Sequence, residues 1–314
     1  MAINLHMCTA ASFKSGSFCF GRTLDNDKSY GEEVVISPRG FKLWRGGSAL
    51  FAIMGMATVI DGLPLYYDGM NEKGLCMAGL NFEGNAAYNA PVRGRLNLAQ
   101  CEFLPYILGT CATAAEAERA IVNINLTAEP FSKDIPPAPL HWMISDRDRD
   151  IVVECMGGRI QVHQNPVGVL TNNPPFKEQL FNLSNYMSLT ADEPRNSFAA
   201  GLRFKPYCCG MGALGLPGDY SSQSRFVRAA FVRNNYRPYE GEGGSDTLFN
   251  ILGSVFVPRG CCRAREGWQT TLYTCCMDAE RGEYSYKTYA NGAPHVLSFV
   301  HSDGKNLFRQ KFEQ

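Results

Sequence analysis

The sequence predicts an α+β fold, a four-layer α-β-β-α sandwich of mainly antiparallel sheets. Three observations carry this expectation. Short apolar or β-branched runs punctuated by turn residues fill the first third of the chain and return twice more. Two helical blocks separate those strand regions, so each block can cover one sheet face. No internal repeat or low-complexity linker divides the 314 residues, and layered folds reach this size as one domain.

Taken in order, "MCTAASF" and "FCFGRTLD" flank a "KSGS" turn and predict a hairpin. "EEVVISPRGF", "ALFAIMGMATVI", "LPLYYDGM" and "LCMAGLNF" follow as strands, parted by "DG" and "NEKG" turns. A helix is expected over 97–109, "NLAQCEFLPYILG", where Pro105 implies a kink or a late start. A second helix opens at Thr113 as N-cap, with Glu116 three residues on completing a capping box. Strands return in "HWMIS", "DIVVECMG", "GRIQVHQNP" and "VGVLTNN". "SRFVRAAFVRN" is helical by its period, and "SDTLFNILGSVF" is a helix capped by Ser245. "WQTTLYTCCMD", "GEYSYKTYA" and "HVLSFVH" close the chain as antiparallel strands.

Composition narrows the function. Hydrophobic residues make up 45% and charged residues 19% of the chain, ordinary for a soluble globular protein. Lys+Arg and Asp+Glu are both 30, and this balance argues against a nucleic-acid surface or electrostatic membrane binding. "MAINLHM" has no basic segment and is too short for a signal peptide. The longest apolar run, 48–60, is well short of the roughly 20 residues a membrane helix needs. A cytoplasmic protein is expected. The 12 cysteines include the adjacent pairs Cys208-Cys209, Cys261-Cys262 and Cys275-Cys276. Without a signal, reduced thiols are expected. Neighbours in a strand face opposite ways, no CxxC is present and the five histidines are scattered. No metal and no cofactor are expected, and a thiol redox or metal-binding protein is the remote alternative.

Cys8 is the residue that asks for chemistry. If everything before it is removed, one residue carries both a thiol nucleophile and a free α-amine able to take its proton. The two pKa values, about 8.5 and about 8, are nearly balanced at neutral pH, so no histidine is required.

The sequence resembles the choloylglycine hydrolase family of N-terminal-nucleophile hydrolases, which includes bile salt hydrolases and penicillin V acylases. The matching blocks are "MCTA", "FGRTLD", "NEKGLCMAGLNF", "LHWMISD", "IVVE", "VGVLTNNPPF" and "GLPGDYSSQSRFVRAAF". The resemblance implies the four-layer sandwich, and implies Cys8 as nucleophile. Arg22 and Asp25 match the residues beside it, the first favouring thiolate and the second orienting the new amine. Asn81 matches the oxyanion donor that uses its backbone N–H, and Asn172 the one that uses its side-chain amide. Asn173 is the neighbour that competes with Asn172. Arg225 matches the family arginine near the nucleophile, with Arg228 as its competitor.

The resemblance further implies hydrolysis of glycine- or taurine-conjugated bile salts, because bile salt hydrolases usually carry Asn at position 81 and penicillin V acylases more often Tyr. A penicillin V acylase or another N-acyl amidase is the alternative. Leu24, Ile60, Phe131 and Ile135 are candidates for the steroid pocket, by the loops that line it in relatives. Residues 1–7 are expected to be a propeptide or a mis-assigned start, removed to leave a single domain over 8–314. The glycine- and aromatic-rich stretch 196–220 is expected to form the contact of a homotetramer.

Overall fold

The structure is a computed structural model describing residues 7–43, 47–264 and 267–312. Most of the segment expected to be removed, residues 1–6, lies outside the described residues. Among them, seven strands form one antiparallel sheet. Its order is Val169–Leu170, Met7–Ser15, Ser17–Asn26, Trp268–Asp278, Glu283–Thr288 and His295–Ser298, with Cys262–Arg263 paired to Trp268–Asp278. A second, nine-stranded sheet runs Arg159–Gln164, Asp150–Met156, Leu140–Ser145, Cys76–Asn81, Asp68–Asn71, Ile53–Ile60, Glu33–Ser37 and Phe308–Lys311, with Leu63–Tyr66 paired to Ile53–Ile60.

Helices cover the outer faces. α1 (Phe103–Thr110) and α2 (Ala114–Ile121) bury Phe103, Ile107 and Ala117 in a cluster with Met77, Trp142 and Val153 of the second sheet. α3 (Phe176–Leu183), α4 (Ser222–Asn235) and α5 (Gly244–Gly253) lie on the side of the first sheet. Phe226 and Leu248 join a core that continues between the sheets through Phe20, Met54 and Met143. Each such side chain contributes roughly 1.5–3 kcal/mol by leaving water. The result is the expected four-layer sandwich.

The structure corrects three local expectations. The helix expected over 97–109 begins only at Phe103, because Leu96–Ala99 is a strand paired in parallel with Ile124–Thr127. Pro105 then falls in the first helical turn, where a missing N–H breaks no hydrogen bond. Ser245 does not cap α5, since that helix starts at Gly244 with Gly243 in the cap position. The Thr113 cap is present, its hydroxyl accepting the Glu116 N–H at 3.2 Å. Glu116, however, reaches back to the N–H of Ala112 at 2.7 Å, one residue beyond a reciprocal box.

Strand pairing positions the site. Met7–Ser15 lies between Val169–Leu170 and Ser17–Asn26, with Ala10 opposite both Leu170 and Arg22 and Cys8 opposite Leu24. The residues that follow Leu170 therefore emerge beside the start of the first strand. Residues directly opposite in a pair share a sheet face. Cys8, Leu24, Ala10 and Arg22 thus face the second sheet, while Thr9, Thr23 and Asp25 face the α4 side.

Candidate active site

Cys8 begins the chain's first core strand and is 2% exposed. On the inter-sheet side its Sγ accepts a hydrogen bond from Arg22 Nη2 at 2.5 Å, and the backbone N–H of Asn81 also points at the sulfur. Arg22 is held in place by donating through Nη1 to the carbonyls of Gly79 at 2.7 Å and Tyr67 at 3.2 Å. Burial pushes the Cys8 thiol up, Arg22 pulls it down and the nearby Asp25 charge adds to the rise; the net direction is upward. The Arg22 guanidinium is fully buried; burial opposes its charge, but the Cys8 sulfur, Tyr273 and Asp68 outweigh that.

Asp68 was not singled out by the sequence. It accepts the hydroxyls of Tyr273 at 2.6 Å and Tyr284 at 2.7 Å, and supplies a negative charge behind Arg22. A tyrosine in a strand pattern reads as core, so no local signal marked this trio.

On the α4 side the Cys8 nitrogen donates to Asn172 Oδ1 at 2.9 Å. Arg225 donates to the same oxygen at 2.8 Å, and through Nη1 to the Cys8 carbonyl and Thr9 Oγ1, both at 2.6 Å. Two donors converging on one atom of the Asn172 amide identify that atom as oxygen. Its Nδ2 donates to the Asn81 carbonyl at 2.8 Å and keeps a second N–H. Asn172 is fixed in turn by its own N–H to Ser222 Oγ at 2.8 Å.

Asp25 is fully buried and accepts the Thr271 hydroxyl at 2.6 Å. The Thr271 strand carries an extra residue opposite Leu24 and Asp25, which aims Thr271 at the carboxylate. Burial raises the Asp25 carboxyl to about 6, against the pull of Arg225, the Thr271 hydrogen bond and Arg22.

The competitors lie elsewhere. Asn173 donates to the Glu83 carbonyl at 2.6 Å and accepts from Asn85 at 3.0 Å. Arg228 donates to the carbonyls of Ser254, Pro217 and Asp219. Of the four pocket candidates, Leu24 packs in the same core cluster as Cys8. Ile60 ends the strand Ile53–Ile60 and is half-buried. Phe131 donates its N–H to the Ile135 carbonyl at 3.1 Å, and lines a groove with Phe41, Tyr66 and Pro105 that Cys8 does not line. Cys262, a member of an adjacent cysteine pair, lies close to the site. It is half-buried, its Sγ lies 3.4 Å from Met7 Sδ, and it feels the charges of Arg225 and Asp25.

An antiparallel four-layer sandwich with a cysteine at the head of a central strand defines the class of N-terminal-nucleophile hydrolases. Within that class the chain belongs to the choloylglycine hydrolase family of linear amide C–N hydrolases, whose family model matches residues 8–305. The chain is 43% identical to a bile salt hydrolase/transferase of Lactiplantibacillus plantarum, over 94% of this chain and 93% of that one. Its structure is similar to that of a variant conjugated bile acid hydrolase from Clostridium perfringens, with a TM-score of 0.90 and 32% identity over 98% and 97% of the two chains. Penicillin V acylase from Agrobacterium tumefaciens shares the fold at a TM-score of 0.75 and 20% identity, over 96% and 90% of the two chains. The chain is thus an amidohydrolase by family.

Proposed function

We propose that the chain hydrolyses the amide bond of glycine- or taurine-conjugated bile salts, with Cys8 as nucleophile and its own α-amine as base. The observation that carries this is the convergence on Cys8 of Arg22, the Asn81 N–H and Asn172. The names of the similar proteins supply the substrate class.

Removal of everything before Cys8 turns its nitrogen from an amide into an amine, which takes the thiol proton. The sulfur attacks the carbonyl carbon of the conjugate. The oxyanion that forms accepts the Asn81 N–H and the second Nδ2 hydrogen of Asn172. The ammonium returns its proton to the departing glycine or taurine nitrogen, leaving a thioester. Water, losing a proton to the amine, then releases the bile acid and restores the thiol. Asp25 faces the side of the strand where the ammonium forms and stabilises its charge.

Assembly as a homotetramer through 196–220 belongs to the same reading. That stretch exposes Phe198 (81%) and Tyr207 (80%). Among the described residues no helix is long and apolar enough to cross a membrane. Exposed free thiols at Cys208, Cys209 and Cys261 support a reducing, cytoplasmic setting.

The test is hydrolysis of glycocholate, taurocholate and penicillin V by the wild type and by Cys8→Ala. Release of glycine or taurine by the wild type alone is expected. Cleavage of penicillin V alone would move the reading to the acylase. Equal activity in both proteins would remove Cys8 from the mechanism.

A further inference from the structure

A buried histidine backed by a buried glutamate, both outside the Cys8 cluster, lies beside the segments that carry the two oxyanion donors. His141 is fully buried on Leu140–Ser145, the strand that pairs with Cys76–Asn81. Its Nε2 lies 2.7 Å from the Thr171 carbonyl, and its Nδ1 lies 3.2 Å from Glu154 Oε1. Its ring stacks on Phe82, 4.3 Å between centroids and 7° from parallel. His141 therefore touches the residue before Asn172 and the residue after Asn81.

The hydrogen-bonding logic is restrictive. A carbonyl only accepts, so Nε2 must donate to Thr171. Glu154 Oε1 also accepts the Phe176 N–H at 2.9 Å, and Oε2 lies 3.5 Å from His163 Nε2. The Phe176 N–H favours the ionised carboxylate, whose Oε1 faces Nδ1 of His141. Glu154 thus fixes the orientation of the imidazole, and the imidazole fixes the Thr171 carbonyl. A carboxylate behind a histidine that orients something else is a common arrangement at catalytic and metal sites. Here the thing oriented is a peptide carbonyl.

We propose that His141, held by Glu154, is a positioning residue for the oxyanion hole. It sets the peptide that carries the Asn172 side chain, and through Phe82 it braces the end of the strand that carries the Asn81 N–H. It does not touch the reacting atoms. This rests on the reading that Asn172 and Asn81 hold the oxyanion.

Four variants of the processed enzyme test it with glycocholate: His141→Phe, His141→Gln, Asn172→Ala and the His141→Phe/Asn172→Ala double variant. Phenylalanine keeps the stack on Phe82 and loses the donor. Glutamine places an N–H near the position of Nε2. His141→Phe should lower kcat on the order of tenfold to a hundredfold, the scale of an ångström-level misplacement, with KM changed far less. His141→Gln should recover most of that loss. In the Asn172→Ala background, His141→Phe should cost little more, because the group it positions is gone. Equal losses in His141→Phe and His141→Gln, or losses that multiply in the double variant, would overturn the proposal and leave His141 as core. If His141→Phe does not fold, His141→Leu, which also lacks the donor, carries the same test alone and combined with Asn172→Ala. A large loss in Asn172→Ala with none in His141→Phe overturns this proposal alone. No loss in Asn172→Ala overturns it together with the oxyanion assignment.

Discussion

Cys8 faces two environments, and each side makes its own prediction. Its sulfur meets Arg22 and the Asn81 N–H, and its nitrogen meets Asn172. Cys8→Ala should reduce hydrolysis to background while far-ultraviolet circular dichroism and melting stay close to wild type, since the change removes only a sulfur atom. Asn172→Ala should lower kcat about 10²-fold or more with a smaller change in KM, because the donor acts mainly on the transition state. Asn173→Ala, whose side chain instead ties Glu83 to Asn85, should shift the melting temperature more than kcat.

Asp25 gives a prediction with a definite sign. With an amide at Cys8, its carboxyl sits at about 6, above the roughly 3.9 of an unfolded chain. Between those values the folded state binds more protons than the unfolded state. The contribution is fully present below about pH 4 and is lost as pH rises through 6. Asp25→Asn should therefore stabilise the unprocessed chain at pH 8 in urea melts, with little effect at pH 4. In a chain that begins at Cys8 the ammonium faces the carboxylate, and the same substitution should destabilise at pH 7. The same sign in both chains would contradict the pairing.

The Cys8 hairpin shows how much of an element the sequence reveals. The short apolar run "MCTAASF" and the turn at "KSGS" suffice to place both strands, because composition and turn chemistry are local. Gly21 is a different case. A Cβ there would lie 2.0 Å from the Cys275 carbonyl oxygen, a close approach set by a strand some 250 residues away in the sequence. Gly21→Ala should cost about 1–3 kcal/mol by denaturant unfolding, and the adjacent Arg22 should shift enough to lower activity as well. Helix starts were less legible for the same reason. Leu96–Ala99 is a strand only because Ile124–Thr127 pairs with it, and α3 was missed because "NNPPF" reads as a turn. Phe308–Lys311 was missed too, since its "FRQK" becomes a strand by pairing with Glu33–Ser37. Arg22, Asn172 and Arg225 were legible through family blocks. The residues that support them, Asp68, His141 and Glu154, were not, because an isolated polar residue in a strand shows its role only when its partners are in place.

At the scale of the molecule, the sandwich brings residues 8, 22, 81, 172 and 225 to one point from both sheets and α4. Helices cover the outer faces and leave the stretch 196–220 with its exposed aromatics. Sedimentation of the wild type should give a tetramer, and Phe198→Ser with Tyr207→Ser should shift it to smaller species with the site intact. A monomeric wild type at micromolar concentration would contradict the assembly. In the proposed mechanism the Cys8 nitrogen is the base, and an amide nitrogen cannot accept a proton at neutral pH. Two routes would free it: cleavage of a propeptide by the Cys8 thiol itself, or removal of Met7 as the initiator. Intact mass and N-terminal sequencing on active enzyme, alongside its rate of glycocholate hydrolysis, distinguish the outcomes. Activity should scale with the fraction of molecules that begin at Cys8. Full activity in molecules that all retain Met1 would exclude the Cys8 α-amine as the base.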